Sequence, residues 1–374
     1  MGTSVAPVVI GARIGSEPFV IPGTPTDTVL LPILLAEVSL LAVGLVLLFG
    51  HAVWWSAHSS RLEPRVRRAQ RELVAHLDRG GSERAAVRAF QLLSRRQQAR
   101  CLLDLAPSVQ GASAASVAAL AGKLGLAAGA EARCYSRLWW RRLHAVRLLS
   151  VIGGPEERLR ELLADRHPAV RAAAAEWAVS HPTPEVLAAL LPLLGDSTGL
   201  CRFTAQDSLL RIGGATVPSL VHYLEGAGSR EASLGLEVAV GLADPRLMKR
   251  AIVSSDDPDP EARRQAARLL GALGGPGAVE GLVSLTVDED ADVRAAAARG
   301  LGVLERREAA PRLAGMLRDR SWNVRQAAGL ALRALGAPGT IYLRRALSDH
   351  DRFARDMAQQ ILDLPASVGR VVSS

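Results

Sequence analysis

The stretch "DRSWNVRQAAGLALRALGAPG", Asp319 to Gly339, sets an Asp six positions before an Arg and follows with a small-residue helix ending near glycine. The arrangement recurs. "DRHPAVRAAAAEWAVSH" starts at Asp165, "DSTGLCRFTAQDSLLRIG" at Asp196, "DPDPEARRQAARLLGALG" at Asp257, "DEDADVRAAAARGLGVL" at Asp288 and "DHDRFARDMAQQILDL" at Asp349. The arginines are Arg171, Arg202, Arg263, Arg294, Arg325 and Arg355. Neighbouring copies lie 30 or 31 residues apart, and one gap of 61 holds a further unit, "GSREASLGLEVAVGLADP". That unit reads as keeping Arg230, with Leu224 in the place of the Asp. An earlier unit, "SRLWWRRLHAVRLLSVIG", puts Arg142 in register with Ser136. A fixed period of this size marks a stacked-repeat architecture.

Each period divides into an apolar segment of about three turns, such as "PGAVEGLVSL", an acidic loop, and a second helix carrying small residues. Pro168 and Pro260 fit the first turn of that second helix, where no intrahelical donor is lost. Two such helices cannot bury their apolar faces alone, so successive pairs must stack on one continuous core. The pattern resembles the HEAT-repeat superfamily, in its short PBS-lyase HEAT-like form, firmly over 134–364. The fold class is therefore all-α, a solenoid of helix pairs. The resemblance also implies a structural ladder of Asp165, Arg171, Asp196, Arg202, Asp257, Arg263, Asp288, Arg294, Asp319, Arg325, Asp349 and Arg355. The Asp row would cancel the charge of the Arg row. Residues 76–133 read as helices without the motif, either a cap or degenerate repeats, and 365–374 as a tail.

Composition agrees with helix. Ala, Leu, Arg and Gly dominate, and aromatics are 4% of the chain. The net charge of +8 is regional. Residues 51–110 carry eleven Arg against five acids, whereas the chain beyond 147 balances 27 basic residues with 28 acidic ones. This argues against nucleic acid as the ligand, because a solenoid for it would carry positive charge along its whole groove. Cys101, Cys134 and Cys201 are odd in number and far apart, so they read as buried thiols.

Near the start, an apolar run from Val29 to Phe49 has the length of a bilayer crossing. It predicts a single transmembrane helix over 29–55, after a short extracytoplasmic segment over 1–28 and before a basic juxtamembrane helix over 56–75. Trp54 and Trp55 would lie at the interface, with Arg61, Arg65, Arg67, Arg68 and Arg71 against an anionic lipid surface on the cytoplasmic side. The expected location is the cell membrane, single-pass, N-terminus outside and solenoid cytoplasmic. Glu37 inside the run would contact a membrane partner, or be protonated or close enough to the outer surface to reach water.

Motifs for catalysis are lacking. "GDSTG" at Gly195–Gly199 matches a serine-hydrolase elbow but follows a helix rather than a strand. The histidines show no metal spacing, and no His-Glu dipeptide occurs. The chain is thus expected to be no enzyme and to hold no metal or cofactor. Trp139 and Trp140 form an aromatic-basic cluster, and Trp322 reads as lying in a loop; all three are candidate partner contacts. The reading is a membrane-anchored scaffold that binds a partner protein, itself membrane-associated. The alternatives are a lyase-type enzyme or a nucleic-acid-binding solenoid.

Overall fold

The structure, a computed structural model, describes residues 39–41, 43–46, 64–77, 82–105 and 112–365. The chain divides into two compact units, Met1–Arg71 and Glu72–Ser374. Every regular element among the described residues is helical.

A helix over 64–77, α1, carries Arg65, Arg67, Arg68 and Arg71. In the second unit, α2 (Glu83–Gln91), α3 (Arg95–Leu105), α4 (Ala112–Lys123) and α5 (Leu126–Cys134) lead to α6 (Trp139–Ile152), which packs on α3, α4 and α5. Short and long helices then alternate. The short ones are α7 (Glu156–Leu163), α9 (Pro184–Leu190), α11 (Val217–Gly226), α13 (Met248–Ser254), α15 (Pro276–Leu285), α17 (Ala310–Gly315) and α19 (Ala337–Ala346). The long ones, beginning with α6, continue as α8 (Pro168–Ala178), α10 (Gly199–Ile212), α12 (Ser229–Leu242), α14 (Pro260–Leu273), α16 (Ala291–Val303), α18 (Trp322–Ala334) and α20 (Arg352–Asp363). Each long helix packs on the next, from α6 to α20. The second unit is thus an α-solenoid, and α15 coincides with the "PGAVEGLVSL" segment.

Residue size explains the two rows. The long helices bury alanines, including Ala174, Ala175, Ala266, Ala267, Ala297, Ala298 and Ala328, which let backbones approach closely. A Cβ on Gly271 would come within 2.9 Å of the Gly300 Cα, and one on Gly302 within 2.8 Å of the Ala331 Cα. The short helices supply bulk through Leu159, Leu187, Leu190, Leu220, Leu282 and Leu313, all buried. Full burial of one such leucine is worth about 1.5–3 kcal/mol. Three long helices, α6, α10 and α14, end on glycines of positive φ, 77° at Gly153 and 70° at Gly213 and Gly274. By contrast, α12 ends on Ala243 at φ 47°.

The expected membrane anchor does not stand. Among the described residues no helix is long and apolar enough to cross a membrane. A crossing takes about 20 continuous helical residues at about 1.5 Å each. Of the expected span, only 39–41 and 43–46 are described, and they are helical. The helix that follows, α1, is studded with arginine rather than apolar. The single-pass location, with its N-terminus-outside orientation, is overturned with the anchor. Glu37, Trp54, Trp55 and Arg61 lie outside the described residues.

Candidate functional site

The loop before each long helix places its Asp and Arg in a repeated geometry. The Arg, in the first turn, reaches back: its Nη1 donates to the carbonyl of the residue six positions earlier. This bond is 2.7–2.9 Å long for Arg142, Arg171, Arg202, Arg263, Arg294, Arg325 and Arg355. The Asp carboxylate does different work. Its Oδ1 accepts the backbone N–H two residues on, at 2.8–2.9 Å, in the loops of Asp165, Asp196, Asp257, Asp288, Asp319 and Asp349. Such local bonding satisfies a donor at the entry to the following helix.

Between units the two rows join. Arg142, Arg171, Arg263 and Arg294 each present Nε and Nη2 to both oxygens of Asp165, Asp196, Asp288 and Asp319, respectively, at 2.6–2.9 Å. These are planar fork-to-fork contacts, the strongest geometry for this pair. They are largely buried. Burial pushes the Asp196 carboxyl up, but Arg171 and the Thr198 N–H and hydroxyl outweigh it and hold the group at about 2. The same opposition leaves Asp165, Asp288 and Asp319 below the ordinary carboxylate range.

The ladder departs from this pattern at two places. At the C-terminal end Asp349 is taken by Arg318, whose Nη2 lies 2.7 Å away. Arg325 instead holds its guanidinium 4.8 Å from the centre of the Phe353 ring. The larger break is before α12. That helix starts at Ser229, so counting from the first helical residue puts Ala232, not Arg230, in register with the arginines. The Asp register falls on Gly226 rather than Leu224. The connection there is only Ala227 and Gly228, one residue shorter than Asp196–Thr198, and it carries no carboxylate. Arg202 therefore meets no carboxylate from the next unit, and Asp257 meets no arginine from the one before, among the described residues.

The N-terminal turns of the long helices also carry exposed apolar side chains. Counted from the helix start, Trp140, Leu200 and Phe353 share the second position, and Phe203 is one turn beyond Leu200. They are 49%, 56%, 58% and 71% exposed. Trp139 stacks on His167, the N-cap of α8, with centroids 4.1 Å apart and planes 1° apart. Trp322 is the first residue of α18, not a loop residue, and is partly exposed. Leu200, Phe203 and Phe353 were missed in the sequence. Aligning the units by helix start would have found them, because Glu261, Asp292 and Asn323 occupy the second position in sister helices.

Other candidate chemistry is structural. Gly195–Gly199 is the turn between α9 and α10. All three cysteines are free and buried, and burial pushes the Cys134 thiol up to about 11. No group of three or more His, Cys, Asp or Glu that could hold a metal occurs among the described residues.

A family model described as HEAT repeats matches residues 155–234, 246–305 and 279–363, together more than half of the chain. No curated protein matches. Among solved structures, the complex of CpcE and CpcF of phycocyanin lyase from Nostoc sp. PCC7120 is 22% identical over 47% of this chain and 98% of that one, with a TM-score of 0.29. Human deoxyhypusine hydroxylase in complex with glycerol is 18% identical over 65% and 98%, at 0.27. The karyopherin Kap121p bound to the SUMO protease Ulp1p is 12% identical over 79% and 40%, at 0.43.

Proposed function

The chain belongs to the HEAT-repeat family, and on that premise we propose that it is a docking scaffold, not an enzyme, which binds a partner protein along the open side of its long-helix row. The observation that carries this reading is the exposed Trp140, Leu200 and Phe353 at the equivalent second position of three long helices, with exposed Phe203 one turn beyond Leu200. Trp and Arg are among the residue types that dominate binding energy at protein interfaces. The ladder beneath them is a framework: its closed rungs neutralise the arginines and hold the first turns in fixed positions, which reduces the ordering penalty of association.

A photocrosslinking amino acid in place of Phe203 tests the proposal in cells. A control replaces Ile341, comparably exposed on the short helix α19. The expected outcome is a discrete protein adduct from the Phe203 position and none from Ile341. Equal labelling from both, or none from Phe203, would overturn it.

A further inference from the structure

Arg202 differs in one respect from Arg142, Arg171, Arg263 and Arg294. Its Nη1 donates to the Asp196 carbonyl at 2.8 Å, the anchor that Arg142, Arg171, Arg263 and Arg294 also use. In those four, the anchored fork grips two carboxylate oxygens of the next unit. At Arg202 the next unit offers Gly226 and Ala227, and a Cβ added at Gly226 would meet nothing within 4 Å. The guanidinium is exposed, and no ion pair joins it to Glu231, which lies beside Gly228. Exposed Phe203 follows Arg202 on α10, and Leu200, one turn before Phe203, shares the Phe203 side of the helix.

We propose that this open rung is a receptor for a partner's carboxylate: an acidic segment containing Leu or Phe places an Asp or Glu on Arg202 and a neighbouring apolar side chain against Phe203. The proposal rests on the docking reading and specifies its chemistry. The sister rungs supply the template, because the same anchored arginine binds a carboxylate four times over in this molecule. An anchored fork loses less freedom on binding than a free arginine side chain, and a bidentate carboxylate adds direction as well as attraction. Arg230, also exposed in the first turn of α12, adds positive charge with no arginine-register role.

The test uses the full chain and two fluorescein-labelled peptides, one alternating Glu and Leu and one with Gln in place of every Glu. Binding is read by fluorescence anisotropy for the wild type, Arg202→Gln and Arg230→Gln, with circular dichroism melts to confirm folding. Arg202 is exposed, so its loss leaves the fold intact. The wild type is expected to prefer the Glu peptide by about tenfold, in keeping with one charge-assisted fork. That preference should fall below about twofold in Arg202→Gln and survive in Arg230→Gln. An unchanged preference in Arg202→Gln, or no binding of the Glu peptide by the wild type, overturns the proposal. So does a concentration-dependent dimer that Arg202→Gln abolishes, which would assign the slot to a second copy. If Phe203 still crosslinks a partner while Arg202→Gln changes nothing, the docking reading stands and the carboxylate receptor alone fails.

Discussion

The loops before α16 and α18 and the loop before α12 make the same connection with different chemistry. In the first two, an Asp carboxylate accepts the N–H of the residue that opens the helix and receives the preceding unit's arginine in a largely buried fork. In the third, Ala227 and Gly228 close the turn without a carboxylate, leaving Arg202 anchored but unmatched. The contrast separates two tasks of the arginine. Its bond to its own loop persists without the neighbour, whereas its bond to the next unit needs an acid there. A break in the ladder therefore leaves a formed half-site rather than a collapsed one.

Removing a closed rung should have the largest effect. Arg294→Ala strands the buried Asp319 carboxylate and is expected to lower stability by about 3 kcal/mol, the lower range for breaking a buried pair. Urea denaturation measures it. Next comes pH. The Asp196 carboxyl sits at about 2 in the fold and near 3.8 ordinarily, so its contribution is complete above about pH 4 and lost as pH falls towards 2. Asp196→Asn should therefore remove about 2 kcal/mol of acid-dependent stability, seen as a shallower slope between pH 4 and 2 in parallel denaturation curves. In the gap unit, Ala243→Gly should raise stability by about 1 kcal/mol, because Ala243 holds a left-handed conformation that costs an L-residue about that much. A thermal melt checks this. The smallest effect belongs to Arg202→Ala, within about 0.5 kcal/mol of wild type, since no carboxylate is left buried. A loss there as large as that of Arg294→Ala would erase the distinction between closed and open rungs.

Much of the fold was legible because the repeat is written in residue types that stacking demands. Small residues fall where long helices touch, leucines where short helices fill, and glycines where α6, α10 and α14 end. The spacing of Asp and Arg was equally visible, but spacing within a unit does not reveal that the side-chain fork runs to the next unit; stacking creates that contact. The unit at α11–α12 was misread by two residues. Its loop is one residue shorter, and Arg230 offered a false match to the arginine register while Ala232 holds the real position. Leu200 and Phe203 escaped notice because an apolar residue in a helix reads as core until its register against sister helices is set. The apolar run over 29–49 satisfied a hydropathy count, but crossing a membrane needs an unbroken helix of that length, and none occurs among the described residues.

Hydrogen–deuterium exchange followed by mass spectrometry tests the contrast between rungs most directly. Segments covering 288–294 and 319–325 should exchange slowly, because the Asp288 and Asp319 carboxylates hold the Asp290 and Ser321 amides while gripped by the preceding arginines. The segment covering 226–232, where no side chain caps the turn, should exchange faster by about tenfold or more, the ratio that about 1.4 kcal/mol of local stability gives. Equal protection across all three segments would contradict the account, since the break in the ladder would then make no difference to the molecule.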